Sequence, residues 1–183
     1  MKKVFYAAAM CCLVAMSATF VGCKDKNSPE EETSAQPQFV KSVVSYQVFL
    51  TFDLVKNIAA SLDEVALTIH YTDASGAEKT QAVTKDGETV TVTYEKFPAE
   101  FKAYVTGELK DKSKDKYTFG LMYKGQVQNY MSDGSKGIGY TPTELGFGAK
   151  SIAKDVIETE YLQKLPTFTT FKVNIAENGD ISK

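Results

Sequence analysis

From Phe39 to the C-terminus the apolar residues recur mainly at every second position, and this constrains the fold more than any other property of the chain. Val44, Tyr46, Val48, Leu50 and Phe52 alternate with Ser45, Gln47, Phe49, Thr51 and Asp53. Val65, Leu67, Ile69 and Tyr71 alternate with Glu64, Ala66, Thr68 and His70. A strand sends successive side chains to opposite faces, so period two marks half-buried strands, whereas a helix would scatter the same residues around its circumference. Val90, Val92 and Tyr94 between Thr89, Thr91 and Thr93 are β-branched and aromatic residues that pleated sheets accommodate. Asp73-Ala74-Ser75-Gly76 and Asp86-Gly87 read as turns, with Gly76 suited to a left-handed position and a return strand expected at Glu78 to Thr84.

After Phe97-Pro98 the pattern resumes. Phe101, Ala103, Val105 and Leu109 share one face, with Lys102, Tyr104, Thr106 and Glu108 opposite. Tyr117, Phe119, Leu121 and Tyr123 form another face, and Lys124-Gly125 leads into Gln126 to Met131. Phe168 to Ile175 reads as a last strand before a turn at Glu177-Asn178-Gly179-Asp180. Short strands at roughly 8–12-residue spacing predict an all-β domain over residues 39–183, an antiparallel sandwich of about seven or eight strands. Two stretches depart from the period. Ser132 to Gly148, with five glycines, reads as a long loop. Ala149 to Leu165 carries Ile152, Val156, Ile157, Tyr161 and Leu165 at helical spacing, which predicts one short helix near residues 150–165 that Pro166 stops.

Composition enters through its absences. The chain has 183 residues and a net charge of −2, contains no arginine and no tryptophan, and has one histidine. Without arginine it has no planar fork for a bidentate grip on phosphate or carboxylate. A mildly acidic chain with no basic stripe is a poor fit to nucleic acid.

The three cysteines, Cys11, Cys12 and Cys23, all lie at the N-terminus. Lys2 and Lys3 precede a run from Val4 to Val21 that is apolar except for Ser17 and Thr19. This reads as a secretory signal over residues 1–22, because it stands at the extreme N-terminus behind two lysines and ends in a small residue. A spanning helix would need about this length too. Phe20-Val21-Gly22-Cys23 resembles a bacterial lipobox, in which a cysteine after a small residue takes a diacylglycerol on its thiol and becomes the first residue of the mature chain. Phe20 stands where leucine is usual. The alternatives are an ordinary signal peptide with an incidental cysteine and a retained transmembrane helix. Lys24 to Gln38 has no apolar residue larger than alanine or proline and reads, with Cys23, as a lipidated, disordered tether over residues 23–38. Cys23-Lys24-Asp25-Lys26 followed by Glu30-Glu31-Glu32 partly resembles the lysine-then-acidic export signal of Bacteroidota surface lipoproteins, with Lys26 where a second acid is usual.

The lipobox, the tether and Val65 to Gly76 are together similar to small Bacteroidota lipoproteins of uncharacterised function. Glu88 to Pro98, Tyr161-Leu162-Gln163-Lys164-Leu165-Pro166 and Asn178-Gly179-Asp180 extend the likeness along the mature chain. The resemblance implies an immunoglobulin-like sandwich on the outer membrane, facing the cell surface or the periplasm. It carries no catalytic motif, so no functional residue transfers. A pilin matured by an arginine-specific protease fits less well, since there is no arginine to cleave at.

No catalytic constellation is legible. His70 sits on the polar face of its strand, no serine occupies a nucleophile elbow, and one histidine without a free thiol is too few for zinc. Gly134-Ser135-Lys136-Gly137-Ile138-Gly139 lacks Walker spacing, and Asp73 to Gly76 and Asp133-Gly134 have too few oxygen ligands for a calcium loop. Lys110 to Lys116 reads as a solvated turn. No cofactor or metal is expected. Tyr104, Tyr130 and Tyr140 fall on polar faces or in loops and are the candidate binding residues, because exposed aromatic rings take up sugars and protein partners. The expectation is a membrane-anchored, non-catalytic module for a protein or glycan partner, or for envelope structure. The alternatives are an assembly subunit using strand addition, and a carbohydrate-active hydrolase with a carboxylate pair drawn from Asp53, Glu95, Glu100, Glu108 and Glu144.

Overall fold

The computed structural model describes residues 36–53, 58–142 and 145–183. The signal and lipobox residues Phe20, Val21, Gly22 and Cys23, and the tether up to residue 35, lie outside the described residues, as does Glu144.

The alternating segments form strands. The strands are β1 (Phe39–Phe49), β2 (Thr51–Asp53), β3 (Ile58–Ala59), β4 (Val65–Thr72), β5 (Glu78–Ala82), β6 (Glu88–Tyr94), β7 (Ala99–Leu109), β8 (Lys116–Met131), β9 (Lys136–Tyr140), β10 (Leu145–Ala153), β11 (Phe171–Ile175) and β12 (Ile181–Ser182). In β1, β4, β6, β7 and β11 the apolar set is turned inward. Two antiparallel sheets pack face to face. The first runs β10-β8-β1-β6, with β9 joining the same edge of β8 as β10; the second runs β12-β11-β7-β4-β5. β2 and β3 form a separate ribbon, and the Ala60 N–H donates to the Gly120 carbonyl of β8 at 3.0 Å. The core between the sheets holds Val44, Tyr46, Phe119, Leu121 and Val127 from one side and Leu67, Ile69, Phe101, Val105 and Val173 from the other. Fully burying one such side chain contributes about 1.5–3 kcal/mol.

The antiparallel sandwich is as the period predicts; the strands are more numerous, in part because an expected loop is extended. Within it, residues 136–140 and 145–148 are strand: β9 and the start of β10 pair with the outer edge of β8. Glycine disfavours strands by propensity, but here it makes room. A Cβ on Gly137 would lie 3.0 Å from Met131 Sδ, and one on Gly139 3.2 Å from Gln128 Oε1. The side chains of β8 fold over the bare backbone of β9, and Gln128 Nε2 donates to the Gly137 carbonyl at 3.2 Å. β8 itself continues through Lys124-Gly125 without a turn.

A short helical segment lies near residues 150–165 as expected, and it begins only at Lys154. β10 runs to Ala153, with a bulge between Ala149 and Ile152 at which Ser151 takes φ 56°. Helix α1 (Lys154–Val156) then continues as a π-helical turn, Ile157–Leu162. Ile157 and Leu162 are both buried; the i to i+5 pitch of a π turn lets residues five apart share a face. Pro166 does not stop this helix. It sits in the first turn of α2 (Leu165–Phe168), where a missing N–H costs nothing. The last strand therefore begins at Phe171 rather than Phe168.

One flank of the sandwich is clasped by polar contacts. Gln81 Nε2 of β5 donates to Glu88 Oε1 of β6 at 2.7 Å, and the Thr84 hydroxyl donates to Glu88 Oε2 at 2.9 Å. The Tyr94 hydroxyl donates to the carbonyl of Glu100 at 3.1 Å. Asn129, buried between the sheets, accepts from the Ser42 hydroxyl and donates to the Gly179 carbonyl at 2.6 Å, which ties β1 and β8 to the β11–β12 turn. The opposite flank, where β9 and β10 face β11 and β12, is tied by the Asn129–Gly179 bond and opens at the cleft lined by Tyr123, Tyr140 and Phe171.

Candidate functional site

The structure does not bring Tyr104, Tyr130 and Tyr140 into one patch. Tyr104 stands on the outer face of the second sheet, opposite His70 of β4. Tyr130 stands on β8 with Lys41 Nζ 5.3 Å from its ring centroid. It neighbours the buried Asn129, so alternation turns it to the outer face of the first sheet. Tyr140 of β9 pairs with the buried Val127 and turns toward the open flank.

Tyr104 is not a bare aromatic platform. Its ring stacks on His70 with centroids 4.7 Å apart and planes 4° from parallel, and Lys102 Nζ lies 5.4 Å from its centroid. Its hydroxyl donates to Glu78 Oε1 at 3.0 Å. Loss of solvent and the Glu78 carboxylate push the Tyr104 phenol up, while the Tyr104 hydroxyl and then His70 hold the Glu78 carboxyl below the ordinary range. His70 therefore has surroundings that its exposed strand position did not suggest. Its Nδ1 is 3.2 Å from Glu78 Oε1 and its Nε2 is 2.9 Å from Thr106 Oγ1.

That hydroxyl–imidazole–carboxylate line has the order of a nucleophile, base and orienting acid. What acyl transfer also needs is a pair of donors aimed at the developing oxyanion. β4 is paired on both sides at this level, to β5 and β7, and the Val105 N–H of β7 donates to the Thr169 hydroxyl at 2.8 Å. The cluster orients an imidazole on the outer face of the second sheet.

Of the carboxylates weighed for glycoside hydrolysis, Glu100 and Glu108 do not form a pair. Glu100 and Glu108 are on the same strand and roughly 26 Å apart at the rise of an extended chain, beyond the ~5–10 Å that such a pair needs. Glu100 is taken up by Lys172 at 3.0 Å. Glu95 lies beyond the end of β6, and the Asp53 side chain, like Glu144, is not among those described. Among the described residues no group of three histidine, cysteine or acidic side chains could hold a metal.

One concavity among the described residues lies at the open flank. Tyr123, Tyr140 and Phe171 wall a cleft of about 180 Å³, with Leu145, Thr170 and the lysines Lys172 and Lys183 also lining it. Tyr140 and Phe171 lie nearly parallel, 6° apart with centroids 6.5 Å apart, and Lys183 Nζ is 5.1 Å from the Tyr140 centroid. Leu145, opposite Tyr123 in the β8–β10 register, is 54% exposed. Pockets for drug-sized ligands run to about 300–1,000 Å³, so this volume suits one side chain or one sugar ring. Aromatic walls and two ammonium groups favour a flat or apolar group that carries an acidic substituent. Of the residues singled out from sequence only Tyr140 belongs here. Phe171 was legible as a strand residue, but its partners lie far away in sequence.

No protein-family model, no curated protein and no solved structure matches this chain.

Proposed function

We propose that this chain is a lipid-anchored protein of the bacterial outer membrane whose sandwich is a non-catalytic binding module. The observation that carries this reading is Phe20-Val21-Gly22-Cys23 at the end of an apolar run that follows Lys2 and Lys3. A thioether-linked lipid at Cys23 with a further acyl chain supplies the two hydrophobic signals that stable anchoring needs, each buried methylene contributing ~0.8 kcal/mol. Residues 24–38 would then hold the sandwich off the membrane. The spatial order of the strands, β6 beside β1 in one sheet and β5-β4-β7-β11 in the other, supports the immunoglobulin-like reading, while between β7 and β11 the chain passes through β8, β9 and β10 of the first sheet. The flank cleft at Tyr140 is the docking point favoured for a protein or glycan partner, because aromatic rings and lysines wall one cleft there, while the Tyr104 hydroxyl is taken up by Glu78.

Palmitate labelling and membrane fractionation of Cys23→Ala test the anchor. Loss of label and release from membranes are expected, and persistent labelling would overturn the lipoprotein reading. Protease shaving of intact cells distinguishes the cell surface from the periplasmic face. Crosslinking from intact cells, repeated with Tyr140→Ala, tests the cleft: an adduct that survives the substitution unchanged places the partner elsewhere.

A further inference from the structure

The edges of the two sheets differ in how they are protected. An exposed strand edge is a template for another strand unless charge, a bulge, proline or short length blunts it. β12 has two residues, β5 carries Glu78 and Lys79 within five, β9 carries Lys136, and β10 is bent by the Ser151 bulge. β6 has none of these devices between Thr89 and Tyr94: no charge, no glycine, no proline and a regular seven-residue register against β1. Among the described residues β6 pairs with β1 alone, so its other edge is unpaired.

The sequence of β6 reads the same in both directions. Thr89-Val90-Thr91-Val92-Thr93 is a palindrome, with the valines buried and the threonines exposed. In an antiparallel pair centred on Thr91, Thr89 faces Thr93 and Val90 faces Val92, so each residue meets its own kind on its own face. The flanks are complementary in the same register. Lys85 and Asp86 stand in the turn before the strand and Glu95 and Lys96 just beyond it, so an antiparallel pair brings the acid and base of one end to the opposite end of the other copy, although Asp86 Oδ1 also accepts from the Leu50 N–H at 2.7 Å. Each contact occurs twice about the two-fold axis. Glu95 and Lys96 make no ion pair with another described residue of their own chain, and an open trough lined by Ala74, Ser75, Thr93, Tyr94, Glu95 and Lys96 lies beside that end of β6.

We propose that the free edge of β6 pairs antiparallel with β6 of a second copy of this chain, about a two-fold axis at Thr91, which joins the first sheets of two sandwiches into one. A C2 interface requires a surface complementary to itself, and an uncharged palindromic strand between oppositely charged ends supplies one.

The test uses the full chain in detergent, with oligomeric state read by analytical ultracentrifugation. A dimer is expected. Thr91→Lys places two ammonium groups against each other at the axis and should raise the dissociation constant at least about tenfold. Glu95→Lys should weaken the dimer, and Lys85→Glu added to it should restore it. Thr91→Cys should give a disulfide-linked dimer on non-reducing gels, whereas Thr80→Cys on β5 should not, which keeps the proposal testable if the lysine variant fails to fold. A monomeric wild-type chain, including one whose own tether covers β6, would overturn the pairing. So would a dimer that survives Thr91→Lys unchanged, or a charge exchange that fails to rescue.

Discussion

The Tyr46 hydroxyl donates to the carbonyl oxygen of Thr169 at 2.7 Å, across the core and 123 residues along the chain. Thr169 is itself fully buried, and its hydroxyl accepts from the Val105 N–H at 2.8 Å while donating to the Leu165 carbonyl at 2.6 Å. One threonine thus takes over the ladder position that β11, whose pairing with β7 ends at Phe171 and Ala103, leaves empty. It also closes α2 and fastens the second sheet to the first.

Tyr46→Phe removes the donor and strands the Thr169 carbonyl in the core. A buried acceptor left without a partner costs about 1–3 kcal/mol, so the urea midpoint should fall with an unchanged m-value. Burial pushes the Tyr46 phenol far up, and it pushes Tyr94 up to about 12. Both phenols are then neutral in the folded chain at a pH where unfolded tyrosine, near 10, already ionises. The stability they contribute is complete below about pH 10 and is lost as pH rises toward 12. Denaturant midpoints measured between pH 8 and 12 should show that decline, and Tyr94→Phe should flatten it. A midpoint insensitive to pH over this range would contradict the buried phenols.

The half-buried strands were legible because each faces water on one side and core on the other. Val44, Tyr46 and Val48, or Val90 and Val92, declare their face without knowledge of any partner. Residues 132–153 were not legible. Glycine has no side chain with which to declare a face, and the pairing of Gly137 and Gly139 is decided by Gln128 and Met131 on another strand. Ile152 looked helical by its distance from Val156 and is a strand residue behind a bulge. At the site, Tyr140 could be flagged as an aromatic residue off the core pattern, but its meeting with Phe171 depends on how two sheets pack. The contacts that occupy Tyr104 were equally hidden, because His70 and Glu78 reach it across two strand pairings.

Gly125 of β8 lies directly beneath the Phe171 ring. A Cβ there would come within 2.4 Å of the ring, closer than side chains approach. Phe171 cannot retreat easily, since it also packs against Tyr46, Phe101 and Tyr140. Gly125→Ala should destabilise by about 1–3 kcal/mol, as overpacking does. Adding Phe171→Leu, which gives the methyl group space, should recover part of the loss. A double-mutant cycle by urea denaturation measures that coupling, and strictly additive effects would show that the two residues do not meet.

Glu88 places a carboxylate on the inward face of β6 with only 8% of its surface exposed. The Thr84 hydroxyl and amide, and then Gln81, hold its carboxyl below the ordinary range against the opposing effect of burial. The carboxyls of Asp73, Asp111 and Asp133 are lowered in the same direction, each first by the hydroxyl of the serine two residues on. A depressed folded pKa means that the unfolded chain takes up its proton first as pH falls. The stability from these groups is therefore complete above about pH 5, near the upper end of ordinary carboxylate titration, and is lost as pH drops through the folded values. Glu88→Gln should cost about 1 kcal/mol at pH 7 by weakening charge-assisted bonds. It should also cost progressively less toward pH 3, where the wild-type carboxylate is being protonated. Urea midpoints of both proteins from pH 7 to pH 3 would converge, and parallel curves would mean that Glu88 does not carry its share of the acid sensitivity.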